Sequence, residues 1–262
     1  MSGRLTALEA MAAERAAAGL ILDFDGVLSP IVQDPDTSVL SAQVGESLAR
    51  LASSLGLVAI ISGRPVDFLA SRVRIPGIRL LGSYGMEQIQ ADGSRRVDER
   101  AQEWVAKIPA AGQTLTAALA GMAGIKVEQK SVSVAVHWRR APDHDVAAEA
   151  VRAVIGEVAD STGLRIEPGK LVEELRPPIA VDKGSAVAAL LANQPLEAVA
   201  YAGDDVGDLP ALKAVRAVGG YALVVDHGSE TDPRLLELAD QTYPGTDAFA
   251  AWLAELAGAV GA

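Results

Sequence analysis

The sequence predicts an α/β protein, a doubly wound parallel sheet interrupted by an inserted α+β unit. Three observations predict it. Short apolar runs (Leu20–Leu22, Leu57–Ile61 and Ala198–Tyr201) each stop abruptly at polar residues. That is the mark of a strand buried on both faces of a parallel sheet. Helical stretches alternate with such runs in the first and last thirds of the chain, which implies a parallel sheet covered on both sides. Between them the texture changes to alternating, half-buried strands joined by turns, with helices between, which suits an antiparallel sheet with helices on one face. The expected division is 1–101 and 179–262 for the core and 102–178 for the insertion.

In order, Met1–Ala18 is Ala-rich and helical in pattern. A strand over Leu20–Leu22 follows, then a loop with Pro30, Asp34-Pro35 and Asp36. Ser41 can cap a helix over Val44–Leu55, where Val44, Leu48, Leu51 and Leu55 share one face. Gly56 ends it, Leu57–Ile61 is the second strand, and Pro65 suits the start of another helix. Arg79–Gly82 is a third strand, and Glu87–Gln90 with Arg95–Val97 forms a hairpin around Asp92-Gly93. In the insertion, Trp104–Met122 and Asp143–Thr162 are helical. Ile125–Lys130, Val132–Arg139, Leu164–Glu167 and Leu171–Leu175 are strands, the last two around a turn at Pro168-Gly169. Helices over Lys183–Leu191, Pro210–Val215, Pro233–Ala239 and Thr246–Ala257 then alternate with strands over Ala198–Tyr201, Ala222–Val225 and Gln241–Tyr243.

Composition narrows the possible functions. The 262 residues carry a formal net charge of −11, which argues against a nucleic-acid partner. No Lys/Arg-rich block suits an anionic membrane, and no uninterrupted apolar stretch reaches the roughly 18–20 residues that span a bilayer. Glu9, Glu14 and Arg15 stand where a signal peptide would be apolar, so a cytoplasmic protein is expected. The chain has no cysteine, and its three histidines are too scattered for a zinc cluster.

Four polar clusters stand where core elements begin or end: Asp23/Asp25, Ser62, Lys183 and Gly203-Asp204-Asp205. In a parallel sheet the carboxyl ends of strands lie on one edge, where ligands bind, and Lys183 at the start of a helix can point there. Asp23 and Asp25 repel one another and call for a hard cation such as Mg²⁺. A carboxylate can attack phosphorus, and a second acid can protonate the leaving oxygen and later activate water. A hydroxyl and an ammonium can hold phosphoryl oxygens. Read singly, Ser62 is also a plausible helix cap and Lys183 a surface lysine. Asp205 and Asp208 are candidate caps for the helix at Pro210, and Arg64 is either a phosphate ligand or the partner of an acid.

The ordered set DFDGVL, ISGR, DKG and GDD resembles the four motifs of the haloacid-dehalogenase-like phosphatase superfamily. The resemblance spans the whole chain, including a cap domain between the second and third motifs. It implies that Asp23 is the nucleophile and becomes phospho-aspartate, and that Asp25 is the general acid/base. Ser62 and Lys183, with Gly63 and Arg64 beside them, would bind the phosphoryl group. Asp23, the backbone carbonyl of Asp25, and Asp204 would hold Mg²⁺, supported by Asp205 or Asp208.

Three further stretches are similar to trehalose-6-phosphate phosphatases: Gly82–Glu87 (GSYGME), Glu128–Arg139 (EQKSVSVAVHWR) and Glu167–Lys170 with Glu173–Pro177. Charged side chains fixed on strands grip sugar hydroxyls well, and Glu128, Lys130 and Glu174 are the best candidates. His137, Arg139 and Arg176 are weaker ones, with Arg139 and Arg176 read chiefly as ion-pair partners. Trp138 reads as core of the insertion. Many of these phosphatases read GDD-x-TDE in the fourth motif, whereas this chain reads Gly203-Asp204-Asp205-Val206-Gly207-Asp208-Leu209. The expectation is a monomeric, Mg²⁺-dependent phosphatase acting on trehalose 6-phosphate. The alternatives are another sugar phosphate, such as sucrose phosphate or a glycosyl-phosphoglycerate, a phosphotransferase or mutase, or a non-catalytic phosphosugar sensor.

Overall fold

The computed structural model describes residues 4–32, 37–169, 171–192 and 194–261. The loop residues Asp34, Pro35 and Asp36, and Lys170 of the family-like stretch, lie outside the described residues. Two compact units emerge, one from Met1–Arg96 with Val181–Ala262 and one from Val97–Ala180. The second begins five residues earlier and ends two later than the insertion expected from sequence.

The first unit carries α1 (Ala7–Ala13), β1 (Ala18–Leu22), α2 (Ala42–Ser54), β2 (Leu57–Ile61), α3 (Val66–Arg72), β3 (Arg79–Gly82), β4 (Glu87–Ile89) and β5 (Arg95–Val97). The chain leaves for the second unit and returns with α7 (Lys183–Ala192), β10 (Ala198–Gly203), α8 (Leu209–Ala217), β11 (Tyr221–Asp226), α9 (Pro233–Leu238), β12 (Gln241–Pro244) and α10 (Gly245–Val260). The strands form one sheet in the order β12-β11-β10-β1-β2-β3-β4-β5. Every pair from β12 to β3 is parallel, and β4 turns back antiparallel on β3.

Strand periodicity divides the apolar runs between two cores. Leu20, Leu22, Val58, Ile60, Ala200 and Leu223 face a core shared with Leu48 and Leu51 of α2 and Phe249, Leu253 and Leu256 of α10. Ile21, Ala59, Ile61, Tyr201 and Val224 face the other, with Val187 and Leu190 of α7 and Leu212 and Val215 of α8. All these side chains are buried, each large aliphatic one contributing about 1.5–3 kcal/mol by leaving water. Continuing the alternation past Leu22 sends Asp23 to the side of α8 and of α7, the helix that starts with Lys183.

The second unit holds α4 (Gln102–Val105), α5 (Ile108–Ala118), β6 (Lys126–Gln129), β7 (Val134–His137), α6 (His144–Thr162), β8 (Arg165–Gly169) and β9 (Val172–Arg176). Its sheet has the order β6-β7-β9-β8, antiparallel throughout. Val134, Val136, Trp138 and Leu175 form its core with Leu115 of α5 and Val151 and Ile155 of α6, so Trp138 is a core residue as expected. Asp143 caps α6 by accepting from the backbone N–H of Asp145 and Val146, and Gly163 ends the helix in the left-handed region.

Three expectations need correction. The N-terminal helix is only seven residues, then a single 3₁₀ turn at Arg15–Ala17, and β1 starts at Ala18. Pairing of Ala18 and Gly19 with Ala198 and Val199 on β10 overrides alanine's helix preference. The stretch Trp104–Met122 is two helices. Pro109 near the start of α5 has no N–H to continue a helix from α4. Pro168-Gly169 is no turn but the end of β8, paired with Glu173 and Val172. Being an edge strand, β8 tolerates a proline whose missing N–H costs the ladder nothing. Among the described residues no helix is long and apolar enough to cross a membrane.

Candidate active site

Adjacent parallel strands β10, β1 and β2 bring Gly203-Asp204-Asp205, Asp23 and Ser62 to one edge of the sheet. The backbone N–H of Asp23 still donates to the Ala202 carbonyl at 2.9 Å, so the nucleophile candidate stands on the last rung of the ladder. Gly26 lets the chain turn away, with φ +77°. A Cβ there would lie 2.0 Å from Asp204 Oδ2, so only glycine permits the two motifs to close up.

Lys183 organises the charge. Its Nζ lies 2.8 Å from Asp23 Oδ2 and 2.7 Å from Asp208 Oδ1, and it is 4% exposed. Asp182 fixes the start of α7 by accepting from the Ser185 N–H, which sets where the ammonium projects. Burial alone would push that ammonium down, but Asp23, Asp208 and Asp205 override it and hold it protonated. Asp208 is fully buried and saturated. It accepts from Lys183, from the Tyr201 hydroxyl, and from the backbone N–H groups of Asp204 (3.0 Å) and Asp205 (3.1 Å). It therefore orders the fourth motif and the lysine and has little coordination capacity left. Asp205 accepts from Gly207 N–H at 2.7 Å, capping the turn before α8.

Asp204 differs. Its Oδ1 is buried without a hydrogen-bond partner among the described residues, and its Oδ2 lies 3.6 Å from His227 Nε2. Oxygens of Asp23, Asp204 and Asp208 all fall within 4.8 Å of one another. Burial, with the carboxylates of Asp23, Asp208 and Asp205, pushes Asp204 up to about 9. Burial, opposed by Lys183 and aided by Asp208, pushes Asp23 up to about 8, and burial also raises Asp205. Several acids facing one ammonium, with an orphaned carboxylate oxygen among them, fit a hard divalent cation held by oxygen ligands.

Ser62 is buried, and its hydroxyl accepts from the Arg64 N–H at 3.2 Å. The turn after β3 supports this loop at the cost of strain. Ser83 (φ 50°) and Tyr84 (φ 62°) both sit in the left-handed region, about 1–3 kcal/mol each. The Ser83 N–H donates to the Arg64 carbonyl at 2.8 Å and the Tyr84 N–H to the Ser62 carbonyl at 2.9 Å. The Ser83 hydroxyl donates to buried Glu87 at 2.7 Å. A cavity of about 380 Å³ is lined by Asp23, Asp25, Ile31, Ser62, Gly63, Arg64, Tyr84, Lys183, Asp204, Asp205 and Gly207. Asp25 stands there with both oxygens engaged by Arg64 and Ser38.

The second unit gathers most of the remaining candidates on one side of its sheet. Glu128, Ala135, Glu174 and Glu167 form a cross-strand row whose side chains alternate with the core set Val127, Val136 and Leu175. There His137 Nε2 lies 2.9 Å from Glu128 Oε2, and Lys130 Nζ lies 3.0 Å from Glu174 Oε1. The Ser133 hydroxyl also donates to Glu174. The hydrogen bond with His137, against the opposing effect of burial and helped by Lys130, holds Glu128 down at about 2. Arg176 is buried at the end of β9, and Arg139 is exposed just past β7.

Sequence reasoning missed Tyr201, His227, Ser38 and Phe68. A tyrosine inside a small apolar strand was a usable signal, because a buried hydroxyl needs a partner. His227 follows β11, the next parallel strand end on the same edge, and bonds the Gly26 carbonyl at 2.9 Å. Its role was invisible without the strand order.

Solved structures share this architecture. A trehalose-6-phosphate phosphatase related protein superimposes with a TM-score of 0.76 at 21% identity, covering 92% of this chain and 97% of that one. The C-terminal domain of the C. albicans trehalose-6-phosphate phosphatase gives 0.70 at 23% identity, covering 96% and 95%. A haloacid dehalogenase-like hydrolase from Bacteroides thetaiotaomicron gives 0.63 at 17%, covering 91% and 99%. At these identities the likeness shows the fold, that of haloacid dehalogenase-like hydrolases with a trehalose-phosphatase arrangement.

Sequence comparison narrows this to one family. Residues 21–235 match the sequence model described as Trehalose-phosphatase. The trehalose-phosphate phosphatase of Mycobacterium marinum is 35% identical over 218 residues, 81% of this chain and 55% of that protein. An uncharacterised glycosyl hydrolase of Mycobacterium tuberculosis is 36% identical over 222 residues, 82% of this chain but 16% of that protein. The chain belongs to the trehalose-phosphatase family, and spans about half the length, or less, of these curated relatives.

Proposed function

We propose that the chain hydrolyses trehalose 6-phosphate to trehalose and inorganic phosphate, with Asp23 as nucleophile and Mg²⁺ as cofactor. The observation that carries the reading is the buried Asp23–Lys183–Asp208 array beside the orphaned oxygen of Asp204. It rests also on family membership and on the similarity to relatives named for that activity.

Asp23 attacks phosphorus while the bond to the sugar oxygen breaks, and Asp25 delivers a proton to that oxygen. The phosphoryl group then sits on Asp23. Asp25, now a carboxylate, takes a proton from water as it attacks phosphorus, and the P–O bond to Asp23 breaks. Lys183, the Ser62 hydroxyl and the Gly63 backbone hold the phosphoryl oxygens. Asp23, the Asp25 carbonyl and Asp204 would hold Mg²⁺, which when bound offsets the charge building on the phosphoryl group. Asp205 and Asp208 order the turn that presents Asp204.

Substrate choice falls to the second unit, acting as a cap. Glu128, Lys130 and Glu174 grip glucose hydroxyls, aided by His137, Arg139 and Arg176. The paired charges are support for this, since they are already oriented and lose little freedom on meeting a sugar. The setting proposed is the cytoplasm, with a soluble sugar phosphate as partner and a monomer as the working unit.

The test is phosphate release from a panel of sugar phosphates, with Mg²⁺ or with chelator, and Asp23→Asn as the blank. A preference for trehalose 6-phosphate that vanishes with chelator is expected. Broad, weak release would keep the phosphatase and discard the substrate. Tight binding without release would replace the enzyme by a sensor.

A further inference from the structure

Sequence leaves Arg64 as a phosphate ligand or as the partner of an acid, and the geometry of Asp25 favours the second. Arg64 Nε donates to Asp25 Oδ2 at 2.8 Å, and Nη2 donates to Oδ1 at 3.0 Å. The Ser38 hydroxyl, almost fully buried, adds a third bond to Oδ1 at 2.9 Å. The guanidinium in turn lies over the Phe68 ring, 4.6 Å from its centroid. Phe68 meets Phe24 edge-to-face at 5.9 Å and 89°, and Phe24 is the fully buried residue between the two motif-one aspartates. The chain thus runs Phe24, Phe68, Arg64, Asp25, from the hydrophobic core to the carboxylate of the proposed acid/base.

We propose that Arg64 is a positioning residue, which fixes the orientation of the Asp25 carboxylate with Phe68 as its backing, rather than a ligand of the phosphoryl group. The inference rests on the phosphatase reading above. A carboxylate's last torsion is broad and roughly two-fold, so a side chain turning freely presents its oxygens over a wide arc. A planar guanidinium fork narrows that arc because both of its bonds hold only in one relative orientation. A lysine would supply the charge without the fork. Ring contact from Phe68 keeps the fork's plane in place through a cation–π interaction.

The two roles predict different kinetics. A phosphate ligand serves every phosphate monoester alike, because the phosphoryl group is common to all. A residue that aims the acid matters most where the leaving oxygen needs its proton, as in a sugar ester. It matters least for p-nitrophenyl phosphate, whose leaving group departs as an anion. The measure is kcat/KM, which covers events up to the first P–O cleavage.

In Arg64→Ala, kcat/KM for trehalose 6-phosphate should fall by about 10²-fold, as for a misplaced catalytic group, and by under about fivefold for p-nitrophenyl phosphate. Arg64→Lys should recover little of the sugar-ester rate. Phe68→Leu, which removes the ring beneath the guanidinium, should lower the sugar-ester rate by a few fold through kcat with KM unchanged. Arg64→Gln and thermal unfolding of each variant separate lost aim from lost fold. Equal loss on both esters in a folded variant, or recovery by lysine, overturns the inference and leaves the phosphatase standing. Wild-type protein silent on both esters with Mg²⁺ overturns the phosphatase reading and the inference with it.

Discussion

At the end of β1, Asp23, Asp204, Asp208 and Lys183 are each under a tenth exposed, and acids outnumber the one ammonium among them. On the β6-β7-β9-β8 sheet of the second unit, His137 and Glu128 are each more than a third exposed, and Lys130 and Glu174 pair one to one. The first cluster is unbalanced and buried, the second paired and more open to water. Buried like charges strain the folded state and make a strong demand for a cation, which is useful for chemistry on phosphate. Partly exposed, paired charges cost less to build, contribute little to stability, and present ready donors and acceptors. The contrast separates a region suited to reaction from one suited to recognition.

The largest effect that could break this contrast is at the proposed nucleophile. Asp23→Asn should cut phosphate release by about 10⁴-fold or more, the scale of losing a catalytic nucleophile. Its fold should survive, read by circular dichroism. Residual turnover near the wild-type rate would move the chemistry elsewhere. Next, Lys183→Met leaves Asp23 and Asp208 facing each other without their cation. Breaking a buried pair in this way costs about 3–5 kcal/mol, measurable by urea unfolding. A change under 1 kcal/mol would show that the cluster is wetter than its burial implies.

Acidity sharpens the comparison further. Folded Asp204 and Asp23 are raised to about 9 and about 8, against ordinary values near 4. Between those limits the folded chain keeps protons that the unfolded chain has lost. Stability of metal-free protein should therefore fall as pH rises from about 4 to about 9. A divalent cation must displace those protons, so stabilisation by Mg²⁺ should grow across the same window. Melting curves with Mg²⁺ and with chelator at pH 5, 7 and 9 check this. A Mg²⁺ shift of constant size would contradict it. Glu128 has the opposite sign, lowered to about 2, so its small contribution fades only in strong acid.

The more open cluster should respond differently. Glu128→Ala or Lys130→Ala should raise KM for trehalose 6-phosphate by about 10-fold, the worth of one or two lost hydrogen bonds to a ligand. Turnover of p-nitrophenyl phosphate should be unaffected, and stability should shift by under 1 kcal/mol. Equal damage to both substrates would erase the division of labour. The smallest expected effect is purely structural. Asp143→Ala removes the cap of α6 and should cost about 1 kcal/mol, without touching either activity.

Sequence legibility followed the same divide. β2 and β3 were legible to the residue, since Gly56 and Ser62 bracket one apolar run and Gly82 closes the other. Ser41 capped its helix as expected, accepting from the Val44 N–H at 3.2 Å. Motif aspartates could be placed at strand ends because periodicity and polar stops are local signals. Partners are not local. That Asp208 collects Lys183, Tyr201 and two backbone N–H groups depends on α7 lying beside α8. That Arg64 reaches Asp25 depends on β2 lying beside β1. At Pro168-Gly169 punctuation misled, because an edge strand forgives residues that an inner strand would reject.

The position of β1 has a consequence for how the protein is made. One of its edges takes β2 soon after, but the other waits for β10, where Ala18 meets Ala198 about 180 residues further along. At the usual 5–20 residues per second of synthesis, that edge stays open for about 10–35 seconds. The second unit, contiguous from Val97 to Ala180, emerges whole within that interval and has its own core to close. A ribosome carrying this chain therefore holds a finished small unit and a half-sheet with an exposed apolar edge. That nascent state is where aggregation has its widest opening.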